Sequence, residues 1–330
     1  MTTSRRRWVR VLDRVLVAVF VAALGVGLMI MWRDQDWSSV GRLAARLGAG
    51  EIVLTFGAAF LINSAGLLLG LVSWRALFTD LGAPVDGWTA SRLFFVGFLT
   101  KFVPGRFVAL PVLVRMGRAI DVGPLRLASV FLLSWAIVAL TGLTIGLAAG
   151  PAVAGLGTGW LLAASLPTFA LLVRPSLLNL CLRTAARVLR RPAPPVSASD
   201  AGLRKAILTQ SLSWVVSGHH LWLLAVAAGA PPWRAYLVCI AGFAVATTAG
   251  ILVMVAPDGI GVREAVLVAG LATVMPLPLA GTVVLASRVV SALSGALVGA
   301  AGLALAQHMH RRRHKESAPG DAGSVAATPG

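Results

Sequence analysis

Charged residues are absent from most of this 330-residue chain and crowded into a few short segments. Seven uncharged stretches of 18 to 47 residues separate consecutive charged positions, namely Arg14 to Arg33, Glu51 to Arg75, Arg126 to Arg174, Lys205 to Arg234, Arg234 to Asp258, Glu264 to Arg288, and Arg288 to Arg311. About 20 apolar residues in a helix match the ~30 Å hydrocarbon thickness of a bilayer. A soluble core in a chain of this length cannot bury seven such stretches. The pattern therefore predicts an all-α, polytopic helical membrane protein.

The basic residues indicate an orientation in the membrane. Of the 29 lysines and arginines, 16 fall in three clusters, at residues 5–14, 174–205 and 311–315. Placing all three clusters on one side satisfies the positive-inside rule, so we expect both termini on the cytoplasmic side of the cytoplasmic (inner) membrane. Such clusters attract anionic lipid headgroups. The net charge of +17 is thus accounted for without nucleic acid, and we expect no nucleic-acid partner.

The uncharged stretches divide the chain into about eight transmembrane helices. A basic cytoplasmic N-terminus, 1–12, precedes a transmembrane lipid-handling domain, 13–306, and a tail, 307–330, that is basic and then disordered. The first apolar run lacks a small-residue cleavage site and is interpreted as a retained span. The predicted helices are 13–32, 52–74, 127–149, 158–174, 206–229, 235–256, a shorter 262–275, and 279–306. The basic cytoplasmic loop 175–205 has the pattern of a short helix lying on the membrane surface.

Residues 88–118 have a pattern different from the other apolar segments. Two eight-residue apolar runs, 93–100 and 107–114, flank the charged Pro-Gly break Lys101-Phe-Val-Pro-Gly-Arg106. Each run is too short to cross a bilayer, so we interpret them as half-helices of a re-entrant hairpin. Broken backbone at membrane depth requires a covering of protein or a water-filled cavity. The alternative is a cytoplasmic loop between helices.

The second half of the chain contains a similar break, within a broken segment at 256–275. There Pro257, Gly261 and Arg263 repeat the order Pro, Gly, Arg that Pro104, Gly105 and Arg106 have in the first half. Paired interruptions in two weakly repeated halves are typical of transporter sites at a repeat interface.

These two segments carry a resemblance to a known family. The run PDGIGVRE, at 257–264, resembles the P-G-G-I-G-V-R-E signature of the lysylphosphatidylglycerol synthase membrane region, the flippase-like family, and KFVPGR, at 101–106, resembles that family's first-half element. The resemblance covers roughly residues 10–310 and implies a multi-span lipid-handling module, with or without a separate catalytic domain. The chain departs from the pattern at Asp258, which replaces a Gly, and at Phe107-Val108-Ala109, where many members have Gly-Glu.

The motif residues suit an anionic headgroup. Glycine lets backbone N–H groups approach a phosphate at a helix N-terminus, and arginine adds a bidentate clamp. Arg288 falls near the middle of a predicted span, where a charge requires a partner such as Glu264, Asp258 or a lipid phosphate. The candidate headgroup residues are Lys101, Pro104, Gly105, Arg106, Pro257, Asp258, Gly259, Gly261, Arg263, Glu264 and Arg288, with Arg115 and Arg118 as possible additions.

Each of these residues also has a purely structural interpretation. The second motif can be a helix cap with a local ion pair, and an Arg288–Glu264 pair can serve only to fix helix packing. Arg115 and Arg118 can extend to the membrane interface instead of facing a cavity. Glu264 itself can pair with an arginine or with the amine of a lipid headgroup.

The sequence contains no catalytic constellation and no cofactor fingerprint, so we expect no enzyme activity, no cofactor and no metal. His219-His220 is a poor metal site because neighbouring helical residues point about 100° apart. The leading hypothesis is a flippase-like protein that binds an anionic phospholipid, an aminoacyl-phospholipid or a polyprenyl phosphate. The alternative is a membrane anchor or subunit for a separate lipid synthase or glycosyltransferase, using the Arg183–Arg191 segment. A third hypothesis is an intramembrane lipid-modifying enzyme with Asp258 or Glu264 as general base.

Overall fold

The computed structural model describes residues 38–81, 86–99, 109–118, 120, 122–147, 159–188, 197–252, 259 and 261–316. These residues form helices and connecting turns without a strand, which confirms the all-α prediction. The helices are α1 Ser38–Arg46, α2 Ala49–Asp80, α3 Gly87–Leu99, α4 Ala109–Arg118, α5 Pro124–Leu147, α6 Gly159–Val173, α7 Ser176–Val188, α8 Asp200–Ala227, α9 Pro232–Leu252, α10 Val262–Leu271 and α11 Leu277–Glu316.

Four of the described helices, α2, α5, α9 and α11, are long and apolar enough to cross a membrane. A fifth crossing results if the bent pair α6–α7 counts as one span. Helix α8 has 28 residues, about 42 Å, but its middle carries Gln210, Ser213 and Ser217, which lower its hydropathy. The predicted span 13–32 lies outside the described residues. The count of eight therefore stays a prediction, while the polytopic architecture is confirmed.

Helices α2 and α8 pack closely as an antiparallel pair. Ser73 Oγ donates to the carbonyl of Ala206 at 2.9 Å, and Ser213 Oγ donates to the carbonyl of Gly66 at 2.7 Å. A Cβ on Gly66 would lie 2.0 Å from Ser217 Oγ. Small residues permit this approach, and interhelical hydrogen bonds hold membrane helices together where no hydrophobic effect operates between them.

Helix α11 packs against α2, α3, α8 and α10. Asn63 Nδ2 of α2 donates to Ser294 Oγ of α11, and both residues are buried. Asn63 is the middle residue of the uncharged stretch between Glu51 and Arg75. The Asn63–Ser294 contact therefore marks the mid-depth of the bundle. It also shows that Asn63 serves as the interhelical contact expected of a polar residue in a span.

The predicted re-entrant segment contains two short helices that pack against each other. The ideal Cβ position on Gly97 of α3 lies 3.2 Å from Leu113 Cδ1 of α4. The first residue of α3, Gly87, lies against Arg75 near the end of α2, and Gly117, near the end of α4, lies against Leu127 of α5. The outer ends of α3 and α4 therefore face the same end of the bundle, as the re-entrant interpretation requires. The connecting residues 100–108 lie outside the described part of the chain.

Several helices are longer than the sequence predicts. Helix α2 runs to Asp80 rather than 74, because Asp80 accepts hydrogen bonds from the Ser199 hydroxyl (2.6 Å) and backbone N–H. Helix α8 begins at Asp200 rather than 206, since Ser199 Oγ caps it by accepting from the backbone N–H of Gly202 at 3.1 Å. Helix α11 continues ten residues past the predicted end at 306, to Glu316.

Candidate functional site

The second break is shaped by two glycines with left-handed backbone. Gly259 has φ 67° and Gly261 has φ 91°. A Cβ on Gly259 would lie 2.5 Å from the Cα of Gly250, near the end of α9. Glycine is therefore needed here to bring the loop against α9 and to turn the chain into α10. This backbone requirement operates whether or not a phosphate binds.

Glu264 occupies the N-terminus of α10. Its Oε2 accepts the backbone N–H of Gly261 at 2.7 Å, which satisfies one of the unpaired donors at the start of the helix. Its Oε1 lies 3.1 Å from Arg288 Nη1 of α11. Glu264 thus pairs with an arginine, which is one of the two partners that we infer for it from the sequence. The anion that we predict at the N-terminus of α10 is, in this structure, the carboxylate of Glu264. Both side chains are partly accessible, at 24% for Arg288 and 19% for Glu264.

Arg263, the neighbour of Glu264, points into the bundle and is only 6% exposed. Its Nη2 donates to Ser291 Oγ of α11 at 3.0 Å, and its Cζ lies 5.1 Å from the ring centroid of Phe243 of α9. An aromatic face stabilises a guanidinium at this distance. Arg263 and Arg288 therefore both lie at the α10–α11 interface, and Arg263 contacts α11 at Ser291, three residues after Arg288.

A histidine completes the surroundings of Arg263. His220 of α8 is fully buried, its Nε2 lies 2.8 Å from Ser287 Oγ, and its Nδ1 contacts the carbonyl of Ser217. Since a carbonyl only accepts, Nδ1 carries the proton. The imidazole also meets the Phe243 ring edge-on, with 4.9 Å between centroids. The same aromatic ring thus contacts both a histidine and an arginine.

Sequence reasoning does not identify His220, Phe243, Ser287 or Ser291 as parts of this site. One available signal is the spacing of Ser287, Ser291 and Ser294, which places three serines on one face of α11 beside Arg288. Each of these serines contacts a different helix, since Ser287 meets α8, Ser291 meets α10 and Ser294 meets α2. Phe243 belongs to α9 and has no local pattern that marks it, whereas His220 is an ionisable residue within a predicted span, which is itself a signal.

The two broken segments approach α11 on either side of Ser294. The ideal Cβ position on Gly299 lies 2.8 Å from the side chain of Leu99, the last residue of α3, while Ser291 receives Arg263 from the second break. Eight residues along a helix correspond to about 12 Å. Ser294, which marks the mid-depth of the bundle, lies between them. The described ends of both breaks are therefore near the middle of the bundle, where polar backbone requires protein or water around it.

The other sequence-predicted residues have different positions. Arg115 and Arg118 are exposed on α4, which packs against α3 and α5, away from the α10–α11 interface. The remaining candidates, Lys101, Pro104, Gly105, Arg106, Pro257 and Asp258, lie outside the described residues, and their participation stays a prediction. In the described part of the chain, no three His, Cys, Asp or Glu side chains are close enough to hold a metal ion.

Comparison with protein families gives one match, which extends over most of the chain. The family model described as the lysylphosphatidylglycerol synthase TM region matches residues 15–299, which include the described helices from α1 to α10, both broken segments and the first 23 residues of α11. Curated proteins give no match. The matched region contains Arg263, Glu264 and Arg288 and the helices that position them. The chain is thus a multi-pass membrane protein that belongs to the lysylphosphatidylglycerol synthase TM region family.

Proposed function

We propose that this protein binds an anionic lipid headgroup in the middle of the bundle and moves the lipid across the cytoplasmic membrane. The substrate class is an anionic phospholipid, an aminoacyl-phospholipid or a polyprenyl phosphate. The observation that carries the proposal is the placement of Arg263 and Arg288 at the α10–α11 interface near mid-depth. Ionisable residues at this depth mark substrate pathways in membrane proteins.

Arg288 is the residue that would meet the headgroup first. Its side chain is 24% accessible and is held by Glu264, whereas Arg263 is almost completely enclosed. A lipid phosphate can replace the Glu264 carboxylate on Arg288 because both present paired oxygens to the guanidinium. The released Glu264 keeps its hydrogen bond to the backbone N–H of Gly261, so α10 retains its cap. This exchange of partners supports a site that binds and releases its lipid.

Arg263 has a supporting part in the proposed site. Its buried guanidinium contributes positive charge next to Arg288, and Phe243 and Ser291 hold that guanidinium in place. A fixed positive charge lowers the cost of bringing a phosphate into the interior of a membrane protein, where an unpaired anion is strongly disfavoured. Movement of the lipid would be passive or driven by an ion gradient, with both termini of the chain on the cytoplasmic side.

A transport assay tests the proposal. The purified full chain is reconstituted into liposomes that contain fluorescent phosphatidylglycerol, and the rate of lipid exchange between leaflets is followed with a membrane-impermeant quencher. Loss of one charge-assisted contact, worth about 1.5–3 kcal/mol, predicts a roughly 10- to 100-fold slower rate for Arg288→Ala and Arg263→Ala. Arg46→Ala serves as a control, because Arg46 is exposed at the end of α1.

The outcome that contradicts the proposal is a normal exchange rate in folded Arg288→Ala protein. Folding is checked separately by gel filtration and thermal denaturation, so that loss of structure is not mistaken for loss of transport. A rate in wild-type liposomes equal to that of protein-free liposomes, for each of the three lipid classes, would also reject it.

A further inference from the structure

Helix α7 leaves the bundle direction at a sharp bend. The axes of α6, from Ser165 onward, and α7 differ by 102°. Helix α6 packs along α5, with the hydroxyls of Thr144 and Thr168 in hydrogen-bond contact at 2.7 Å. Helix α7 therefore lies across the end of the bundle, close to parallel with the plane in which a membrane surface would lie.

The inner side of α7 is fixed to the rest of the protein. Leu178 is 4% exposed and packs in the core near the N-terminal half of α8. Asn179 makes two hydrogen bonds with the backbone of Ala198, from Nδ2 to the carbonyl at 2.7 Å and from the backbone N–H to Oδ1 at 3.2 Å. At the preceding bend, Arg204 donates to the last carbonyls of α6. These contacts hold α7 in one rotation about its own axis.

The two outer sides of α7 differ in chemistry. One is an apolar stripe, formed by side chains within about 40° of one another at 100° per residue. Its members are Leu177 (38% exposed), Val188 (75% exposed) and the exposed Cys181. The other side carries Arg183 and Arg187, both exposed, about 120° around the helix from the stripe, together with the exposed Leu180. An apolar stripe with neighbouring arginines is typical of helices at a membrane interface.

The charges of α7 indicate the sign of its partner. The helix contains no acidic residue, and Arg183 and Arg187 stand four positions apart, where like charges destabilise a helix. Arg183 contacts the Ser197 hydroxyl, a neutral group. An anionic surface removes the repulsion between the two guanidinium groups. The adjacent apolar stripe favours a lipid surface over an acidic protein surface, because acyl chains cover the stripe while phosphates meet the arginines.

We propose that α7 is an interfacial helix that binds anionic phospholipid at the membrane surface, with its apolar stripe against the acyl chains and its arginines on the phosphates. The proposal does not depend on lipid transport. It assigns a lipid contact outside the Arg263–Arg288 site, at the end of the bundle that the basic clusters predict to be cytoplasmic. It also gives Arg183 and Arg187 a lipid partner in place of the protein partner considered above.

The natural Cys181 allows a direct test in the full chain. Cys181 is exposed within the apolar stripe while Cys239 is buried, and Cys239→Ser removes any residual labelling at the second position. The Cys239→Ser protein is labelled at Cys181 with a polarity-sensitive fluorophore and placed in nanodiscs of phosphatidylcholine with increasing phosphatidylglycerol. We expect quenching by lipids brominated near the top of the acyl chains, and stronger quenching as the anionic fraction rises.

Two variants and one control sharpen the result. Arg183→Gln with Arg187→Gln removes two charges, and at about fivefold per arginine it should weaken binding to the anionic surface about 25-fold, which is measured as a higher phosphatidylglycerol fraction needed for half the effect. Leu177→Asn with Val188→Asn should weaken quenching at every composition. Arg42→Gln with Arg46→Gln removes the same number of charges from α1, and we expect it to leave the Cys181 signal unchanged.

A water-exposed fluorophore that is not quenched by brominated lipid at any composition would overturn the proposal. In that case the outer sides of α7 face solvent and remain open to a protein partner. Quenching that is strong but equal with and without phosphatidylglycerol would also overturn it, because the arginines would then have no part in binding. Either result leaves the transport proposal untouched, since that depends on Arg263 and Arg288.

Discussion

Glu264 joins Arg288 to the start of α10, with one carboxylate oxygen 3.1 Å from the guanidinium and the other 2.7 Å from the backbone N–H of Gly261. One side chain thus caps a short helix and neutralises a cation on the neighbouring span. Two functions therefore depend on the same carboxylate. Substitution experiments separate them, because glutamine retains the capping oxygen but loses the charge.

We expect Glu264→Gln to destabilise the protein by about 2 kcal/mol, the range for a hydrogen bond to a charged group. Arg288 loses its carboxylate partner at a partly buried position, while the cap to Gly261 is retained. Thermal denaturation in detergent measures the change. Arg288→Gln and the double variant complete a cycle, for which we expect a coupling energy of about 1 kcal/mol. Additive effects would show that the pair contributes nothing to stability.

Arg263→Lys tests whether geometry matters at the buried arginine as well as charge. Lysine keeps the positive charge but lacks the planar group that lies over Phe243 while donating to Ser291. If Arg263 positions charge for a headgroup, we expect lipid exchange to be about tenfold slower, with a smaller loss for Arg288→Lys at its more accessible site. Exchange rates in liposomes measure both. Equal rates for Arg263→Lys and wild type would assign the residue a charge role only.

Gly259→Ala should disturb the second break. The added Cβ would lie 2.5 Å from the Cα of Gly250, and φ of 67° strains any residue with a side chain. We expect a loss of about 1–3 kcal/mol in stability and a lower exchange rate. Gly270→Ala is the matched control, because its Cβ meets only Val238 Cγ1 at 3.7 Å and alanine favours the helix. Equal stability of the two variants would show that the close approach is not required.

The α2–α8 contact can be tested by the same comparison at a second pair of glycines. A Cβ on Gly66 would lie 2.0 Å from Ser217 Oγ and 3.0 Å from its backbone nitrogen, whereas a Cβ on Gly57 meets nothing within 4 Å. We expect Gly66→Ala to lower the denaturation temperature, with an energetic cost of about 1–3 kcal/mol, and Gly57→Ala to leave it unchanged or slightly raised. A tolerated Gly66→Ala would mean that α2 and α8 are less closely packed.

From the sequence, Glu264 is one of three candidate partners for Arg288, beside Asp258 and a lipid phosphate. Arg288 stands between uncharged stretches of 23 and 22 residues, so few acidic groups can reach it, and Glu264 is the nearer of the two acidic candidates. The opposite case is Phe243 with His220, which meet across α8 and α9 through tertiary packing alone. An apolar residue in an apolar span has no sequence feature that distinguishes a site position from a lipid-facing one.

Helix ends are also set by contacts that the sequence pattern does not contain. The hydropathy pattern places the boundary of α2 at Arg75, where charge reappears, yet the helix continues to Asp80 because Ser199, 119 residues away, bonds to that carboxylate. Charge marks where a helix leaves the hydrocarbon region but not where its backbone hydrogen bonds end. The same reason applies to α11, which continues to Glu316 through its basic cluster.

The re-entrant interpretation of α3 and α4 stays a prediction, and it implies which positions share one side of the membrane. Thr79, near the end of α2, and Gly123, just before α5, flank the segment and are both exposed, and a Cβ on Gly123 meets nothing within 4 Å. Thr79→Cys and Gly123→Cys, each in a background with Cys181→Ser and Cys239→Ser, should react with an impermeant maleimide from the same side. Trp233 lies at the start of α9, at the opposite end of the bundle, and its side chain is 90% exposed. Trp233→Cys should therefore react only from the other side of the membrane.

The labelling pattern has a strict consequence for every later helix. If Thr79→Cys and Gly123→Cys react from opposite sides, the segment between them crosses the membrane an odd number of times. The basic clusters at 5–14 and 174–205 would then face opposite sides, against the positive-inside rule. The ends of α3 and α4 also make this unfavourable, because Gly87 packs on Arg75 and Gly117 packs on Leu127 at one end of the bundle. Reaction from one side would therefore agree with a re-entrant first segment, and it would keep α10 and α11, which carry Glu264 and Arg288, in the orientation that the basic clusters predict.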